Sequence, residues 1–498
     1  MRIKNILAKG CLVGFSLMWG CNEDILEKVN PNDLSTSIYY LNEAELVTGV
    51  NSVYAAWQGL DLYAREFFFL HDLRGDDMQP GGEQLELQRR QLIEGTHDSS
   101  NPVMTSAWNG LYRVIHRANI VIESASRPDV DATDAAKNRV AGEAKFHRGW
   151  AYFELVSMWG GVPLYTAYAT SPADNKSRAS VDEVYAVIIS DLTDAINYLP
   201  SSYDDANLGR ATSHAARAML ARVHMQRGNY SEARTLLRDI VSSNQFKLVD
   251  RYLDNFEEEN EFNEESLFEV AFSSSFGGLG WNPSGDGTSM EVTIRGQEYG
   301  PNAWRNLIPS NGLIAEFEDD DPRFGDSFYQ IGDTYNNGTE VITEMQNADP
   351  KISWRKYQMI YKQPSEDQRS GINFRVIRYA EVLLALAECE NELDNGQEAI
   401  NLLNEVRDRA SVQMPHYPTP EYPVSSKAEI FRAIVHEKRV ELGGEQIRNR
   451  DILRWRAQGK LLEEPFSYFQ AKHALLPIPL PELDNNTSLT NADQNPGY

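Results

Sequence analysis

Two stretches of this chain repeat one another, and the repeat restricts it to stacked helical hairpins. In residues 211–241 the apolar positions Ala233, Leu236, Leu237, Ile240 and Val241 follow the i, i+3, i+4, i+7, i+8 stripe of one buried helix face. Residues 380–406 repeat this segment at an offset of 166 residues: Leu220 returns as Leu386, Ala221 as Ala387, and Ala233, Leu236 and Leu237 as Ala399, Leu402 and Leu403. Each copy breaks at a polar turn. Asn229 with Glu232, and Asn395 with Glu398, resemble a capping box with Asn in place of Ser or Thr, so a second helix is expected to open at each. One hairpin cannot cover its own apolar face, so such units are stable only when stacked on neighbours.

Small alanines at the crossing, a polar turn, then Glu-Ala and Leu-Leu are the pattern of tetratricopeptide (TPR) helix pairs. Other helices are expected around them, over 43–60, 105–124 and 139–158, the last stopped by Gly160-Gly-Val-Pro163. Ser180 and Glu183 cap a further helix with the stripe Val184, Ile188, Leu192, Ile196 and Leu199, ended by Pro200. Trp57 and Trp108 lie on apolar helix faces and are read as core. The chain is therefore expected to be mainly α, with TPR-type pairs at about 105–245 and 375–460 and an extended tail over 461–498. Between the pairs, residues 250–373 lose long helical periodicity and are rich in Gly, Pro, Asn and aromatics, with a strand expected over 267–272. A loop-rich insert of that length in a compact protein is usually functional. A smaller loop-rich region covers 72–102.

The N-terminus carries a different signal. Arg2, Lys4 and Lys9 precede the apolar run 11–19, which is shorter than the roughly 20 residues of a membrane-spanning helix. A basic start and a short apolar core read as a secretion signal over residues 1–20. Gly20 then precedes Cys21, the arrangement that lipoprotein processing uses, so Cys21 is expected to carry a lipid and residues 21–40 to form an acidic tether. The alternative is an ordinary signal with an incidental cysteine. The remaining chain, 41–498, is expected to form a single domain.

Composition narrows the function. The 498 residues carry a formal charge of −26, and loss of residues 1–20 with their three basic side chains makes it −29. Nucleic acid, whose phosphates demand Lys and Arg, is an unsuitable partner. The three cysteines are Cys11, Cys21 and Cys389, which leaves Cys389 alone in the processed chain, read as a packed helix residue, with no disulfide. No His-Glu-x-x-His zinc motif and no Gly-x-Ser-x-Gly nucleophile elbow is present. Phe276-Gly-Gly-Leu-Gly280 lacks the lysine of a nucleotide loop, and Glu318-Asp-Asp-Asp-Pro-Arg323 lacks the spaced oxygens of a calcium loop and is read as a solvated turn. No metal and no cofactor beyond the lipid is expected.

Seven motifs stand out along the chain: Arg74-Gly-Asp-Asp-Met78, Trp159-Gly-Gly-Val-Pro163, Arg378-Tyr-Ala-Glu-Val-Leu-Leu384, Glu437-Lys-Arg-Val-Glu-Leu442, Asp451-Ile-Leu-Arg-Trp455, Leu476-Pro-Ile-Pro479 and Gln494-Asn-Pro-Gly-Tyr498. Together they resemble the SusD/RagB-like nutrient-binding outer-membrane lipoproteins. Gly443-Gly-Glu-Gln446 departs from the family's shorter linker. The resemblance implies a SusD-like fold and a non-enzymatic role. Such a protein sits on the outer membrane facing outward, captures an oligo- or polysaccharide, or in some members a peptide, and delivers it to a partner TonB-dependent (SusC-like) transporter. A surface glycoside hydrolase is the alternative from another class.

A sugar shows a flat C–H face ringed by hydroxyls, so its site needs exposed aromatic rings with a few polar groups beside them. The loop-rich insert offers Trp281, Tyr299, Trp304 and Tyr335, whereas Trp354 and Tyr357 lie in a more regular stretch and read as core. Asp76 is a candidate for bonding hydroxyls or for capping its turn, and Asp77 reads as structural. Lipidation is tested by metabolic palmitate labelling: wild type is expected to label and Cys21→Ala to lose the label, and equal labelling would overturn the assignment.

Overall fold

A computed structural model describes residues 39–276 and 291–498. The expected signal segment, Cys21, all of the tether but Tyr39 and Tyr40, and Trp281 lie outside the described residues.

The helical frame begins with α1 (Glu43–Trp57) and α2 (Glu66–Asp72), followed by the short α3 (Leu87–Glu94). The long antiparallel helices α4 (Pro102–Ser126) and α5 (Asp134–Trp159) come next, then α6 (Val181–Tyr198), α7 (Ser213–Gln226) and α8 (Tyr230–Ser242). Successive helices pack on one another from α4 through α8. Their boundaries follow local chemistry. The Ser180 hydroxyl accepts from the Glu183 N–H while the Glu183 carboxylate accepts from the Ser180 N–H, a complete capping box at the start of α6. Thr133 and Thr212 cap α5 and α7 in the same way from one side. Trp57 stacks on Trp150 with ring centroids 3.6 Å apart, and Trp57 and Trp108 are both buried.

The second copy of the repeat is α12 (Tyr379–Glu392) and α13 (Gly396–Arg407), continued by α14 (Lys427–Leu442) and α15 (Ile447–Ala457). Helix α12 packs on α8, so the two repeated hairpins are neighbours in space although an insert separates them in sequence. The polar turns differ from expectation in one respect. Neither Asn229 nor Asn395 caps its helix with its side chain. The turns are too short for that. In each, the Asn N–H donates to a carbonyl five residues back, of His224 or Glu390, and the residue before the Asn is left-handed, Gly228 in one copy and Asp394 in the other.

The insert leaves the frame through β2 (Ser266–Val270) and returns through β8 (Phe374–Arg378), which pair antiparallel and close its base. Three more antiparallel pairs lie in or on it: β1 (Met78–Pro80) with β3 (Leu307–Pro309), β4 (Phe328–Gln330) with β7 (Ile352–Trp354), and the small hairpin β5 (Thr334–Tyr335) with β6 (Glu340–Val341). Short helices α9 (Arg295–Tyr299), α10 (Asn311–Ile314) and α11 (Pro322–Ser327) fill the remainder, and α16 (Leu480–Asn485) lies in the tail. Among the described residues no helix is long and apolar enough to cross a membrane.

Charge binds the insert to the frame. Arg378, the last residue of β8, reaches Glu265, Glu441 and Glu445 at 2.7 Å each. Arg409 contacts Glu265 at 2.6 Å and Glu441 at 2.7 Å. From the insert, Arg323 pairs with Asp321, Glu437 and Glu441, and Lys356 with Glu445 at 2.8 Å. Arg407 joins Glu437 to Glu318. Burial alone would raise the Glu441 carboxyl, but Arg409, Arg378 and Arg323 hold it well below the usual carboxylate range. The acidic run at 318–323 is thus not the fully solvated turn expected from sequence: Asp321 and Arg323 are buried in this network, while Asp319, Asp320 and Pro322 face solvent. The Gly443–Gln446 linker packs here too. Gly444 has φ +76° and a Cβ there would lie 2.5 Å from the Trp354 ring, so glycine is required.

Removing one carboxylate from such a network leaves buried guanidiniums without a partner. Glu441→Gln is expected to cost about 3–5 kcal/mol in denaturant unfolding. A loss under about 1 kcal/mol would mean that Glu265 and Glu445 suffice to hold Arg378 and Arg409.

Candidate functional site

The insert and the first loop region meet along one surface, and the close approach starts at Gly81. Its N–H donates to the Asn306 carbonyl at 3.0 Å, and a Cβ at Gly81 would sit 1.7 Å from the Arg305 carbonyl oxygen. Only glycine fits. Gln84 then reaches across, its Nε2 donating to the carbonyls of Trp304 at 3.1 Å and Arg305 at 2.9 Å. Arg305 is fully buried and left-handed, with φ +48°. Its guanidinium donates to the carbonyls of Gln346, Ala348, Pro350 and Ile352 and, through Nε, to the Ser353 hydroxyl at 2.7 Å. One buried side chain thereby fixes the 346–353 loop and the backbone that carries Trp304.

Trp304 is 36% exposed, the most exposed tryptophan among the described residues, so one side of its indole meets solvent. Its backbone N–H donates to the Gln297 carbonyl at 3.0 Å, which ties this part of the loop to α9. Two residues earlier, Asn302 donates to the Pro364 carbonyl and hydrogen-bonds the Tyr335 hydroxyl. Tyr335 is half-buried on the β5–β6 hairpin, its hydroxyl donating to Glu340 at 2.7 Å. The hairpin is docked by the N–H groups of Asn336 and Asn337, which donate to the carbonyls of Ile360 and Tyr361. Trp304, Asn302 and Tyr335 therefore form one connected group.

The other expected residues that the structure describes do not join it. Tyr299 is fully buried, its hydroxyl donating to Asp72 at 3.0 Å and its ring edge-on to Phe68 and Phe69. Its place on the buried face of α9 makes it core, so it offers no platform. Asp76 faces a separate polar cavity of about 590 Å³, where Arg448 and Arg439 take up its carboxylate oxygens. Asp77 is buried against Arg439 at 2.9 Å. Trp354 and Tyr357 are core. Sequence reading missed Gln84, Asn302 and Leu87, which opens α3 three residues after Gln84 and is 69% exposed. The signal for Gln84 was the Pro80-Gly-Gly82 triplet beside it, which marks a close backbone approach; Asn302 carries no sequence signal of its own.

The group has an apolar indole face with amide, hydroxyl and carboxylate groups around it. It has no nucleophile activated by a base. Among the described residues no group of three or more His, Cys, Asp or Glu side chains is placed to hold a metal ion.

Comparison with known proteins agrees with this architecture. Residues 24–225 match the SusD-like family described as starch-binding and associating with the outer membrane, and residues 354–474 match the SusD family itself. SusD-like protein P25 of Formosa agariphila is 26% identical over the full length of both chains. A SusD-like protein of Bacteroides ovatus is 24% identical over 88% of this chain and 80% of its own. Among solved structures, a laminarin-binding SusD-like protein is 27% identical and superposes with a TM-score of 0.77 over 92% of this chain and all of its own. Surface glycan-binding protein A of Bacteroides thetaiotaomicron, solved with laminarihexaose, is 23% identical with a TM-score of 0.73 over 91% of this chain and 99% of its own, a likeness of fold. Stacked hairpins, an insert closed by β2 and β8, and matches to both ends of the chain lead to one statement: the chain belongs to the SusD family.

Proposed function

We propose that this protein binds an oligo- or polysaccharide on the surface built around Trp304 and Tyr335. The observation that carries the reading is a partly exposed tryptophan on a backbone immobilised by Arg305 and Gln84, with Asn302 and Tyr335 beside it. A rigid aromatic ring gives the C–H face of a sugar a contact with little ordering cost, and the neighbouring amide and hydroxyls suit its hydroxyl groups. Relatives that bind laminarin or laminarihexaose support the ligand class. Outer-membrane association of the family supports a place at the cell surface. In the full reading, residues 1–20 are a signal, Cys21 carries the lipid, residues 21–40 are a tether and 41–498 are one domain that hands its glycan to a TonB-dependent barrel. It does so without chemistry of its own.

The test is affinity electrophoresis against a polysaccharide panel that includes laminarin. At least one glycan is expected to retard the wild type, and Trp304→Ala to weaken that retardation roughly tenfold, about 1.4 kcal/mol. Its melting temperature is expected to stay nearly unchanged, because the indole is partly in water. Unaltered retardation by the variant would remove Trp304 from the site. Sustained release of new reducing ends by the wild type would overturn the non-catalytic reading.

A further inference from the structure

Glu366 is 7% exposed and stands where the supports of Trp304 and Tyr335 meet. On the tryptophan side, the Gln297 amide has one orientation that suits both of its neighbours. Its oxygen accepts from the Trp304 indole N–H and its nitrogen donates to the Glu366 carbonyl, each at 3.2 Å. Asn302 adds a parallel link, donating to the carbonyl of Pro364, two residues before Glu366. On the tyrosine side, the Glu366 Oε1 accepts from the Ile360 N–H at 2.9 Å, and the Ile360 carbonyl accepts from the Asn336 N–H at 2.7 Å. Asn336 directly follows Tyr335, so one residue ties the tryptophan loop to the tyrosine hairpin.

The side chain at this node is an acid without a cation. Its Oε2 has no partner and lies against α9, where a Cβ on Gly296 would be 2.1 Å from it. A Cβ on Gly300, four residues on, would be 2.6 Å from the Gln358 Oε1, a second buried acceptor with no donor. Unpaired buried acceptors are costly, and a proton on the Glu366 Oε2 supplies a donor where none is present. The charged neighbours do not relieve it. From α9, Arg295 turns to Asp72 and Glu298 to Arg65. From residues 356–362, Lys356 pairs with Glu445, and Lys362 with Glu258 and Glu259. Burial holds the phenols of Tyr299, Tyr329, Tyr357 and Tyr361 above their usual range, so they bring no charge near neutral pH. Asp367, the next residue, is itself an acid and is matched by Arg369. Burial, opposed by the Ile360 and Met359 N–H groups and reinforced by Asp367, pushes the Glu366 carboxyl up to about 8. The group therefore keeps its proton at neutral pH and releases it as pH rises through that value.

We infer that Glu366 is a positioning residue of the glycan surface: as a neutral acid it locks the supports of Trp304 and Tyr335 together, and as a carboxylate it releases them, so that glycan capture weakens at alkaline pH. The inference rests on the glycan reading of Trp304 and Tyr335 and adds its regulation. A carboxylate at this place has no cation among the described residues, so the segment opens to let water reach it. Opening parts Glu366 from Ile360 and displaces the carbonyl that orients Gln297. The indole then loses its fixed orientation, and a sugar must order it again at a cost in affinity. Capture by the neutral form alone makes apparent affinity scale with the neutral fraction, a fall of roughly tenfold by about pH 9.

The experiment uses the whole protein labelled with fluorotryptophan, the Trp304 fluorine signal being assigned by its loss in Trp304→Phe. In the free protein this signal is expected to titrate with a midpoint of about 8. Glu366→Gln, whose amide NH2 replaces the hydroxyl of the acid as a donor, is expected to show no such titration. A flat wild-type signal, or the same titration in Glu366→Gln, would overturn the inference. Should Glu366→Gln fail to fold, Gln297→Met cuts the link to the indole and is expected to abolish the titration, and an unchanged titration there would contradict the inference. Calorimetry with laminarin is expected to show the roughly tenfold loss between neutral and about pH 9 in the wild type and no pH-dependent loss in Glu366→Gln. Equal loss in both proteins would remove Glu366 as its cause. The fluorine titration needs no glycan, so its failure is distinct from a failure of the glycan reading, which shows as unaltered laminarin binding by Trp304→Ala.

Discussion

Glu441 accepts from Arg323, Arg378 and Arg409 at once, and those three arginines come from three different parts of the chain. Arg323 lies in the insert, Arg378 at the point where the insert ends, and Arg409 just beyond α13. Around this carboxylate the buried cations Arg323, Arg378, Arg407, Arg409 and Lys356 stand against Asp321, Glu265, Glu437, Glu441 and Glu445. Opposite charges in this number cancel within the interior. A buried ion pair adds little net stability over a well-packed apolar pair, because desolvation offsets attraction. Its strength is selectivity: a slipped β2–β8 ribbon or a rotated α14 leaves a charge unpaired, and that costs several kcal/mol. The register of the insert on the frame is thus set by electrostatics, while apolar stripes set the frame itself.

That division explains where a ligand surface can exist. The frame helices bury their apolar faces in each other. Above its β2–β8 base the insert contributes only short helices and strand pairs of two or three residues, which would not persist alone. Rigidity at Trp304 comes instead from buried polar groups: Arg305 collecting carbonyls, Gln84 spanning from the first loop region, and Gly81 allowing the two backbones to touch. A binding surface built this way varies easily in sequence, since only the anchors are constrained.

The fold was largely legible in the sequence. Helical stripes, the repeat and the capping box at Ser180 carry local information, and the strand expected over 267–272 corresponds to β2. What was not legible depended on distant partners. Asn229 and Asn395 carry the composition of caps, yet the tightness of their turns gives the work to the backbone. Tyr299 has the composition of a platform residue, but its partner Asp72 lies 227 positions away in α2 and draws it into the core. Asp76 looked free to meet a hydroxyl until Arg448, 372 positions further on, closed over it. The acidic run at 318–323 read as solvated because nothing nearby in sequence shows that Arg407 and Glu437 face it. Trp304 and Tyr335 were found by residue type alone; their common link, Asn302, required coordinates.

The central claim is that charge makes insert and frame one cooperative unit. Native-state hydrogen exchange on the wild type tests it most directly. The amides of β3, β7 and β8 in the insert are expected to exchange through the same opening as those of α12 and α14, with matching free energy and matching denaturant dependence. Exchange of the insert through a separate, lower-energy opening, with α12 and α14 still protected, would contradict the account.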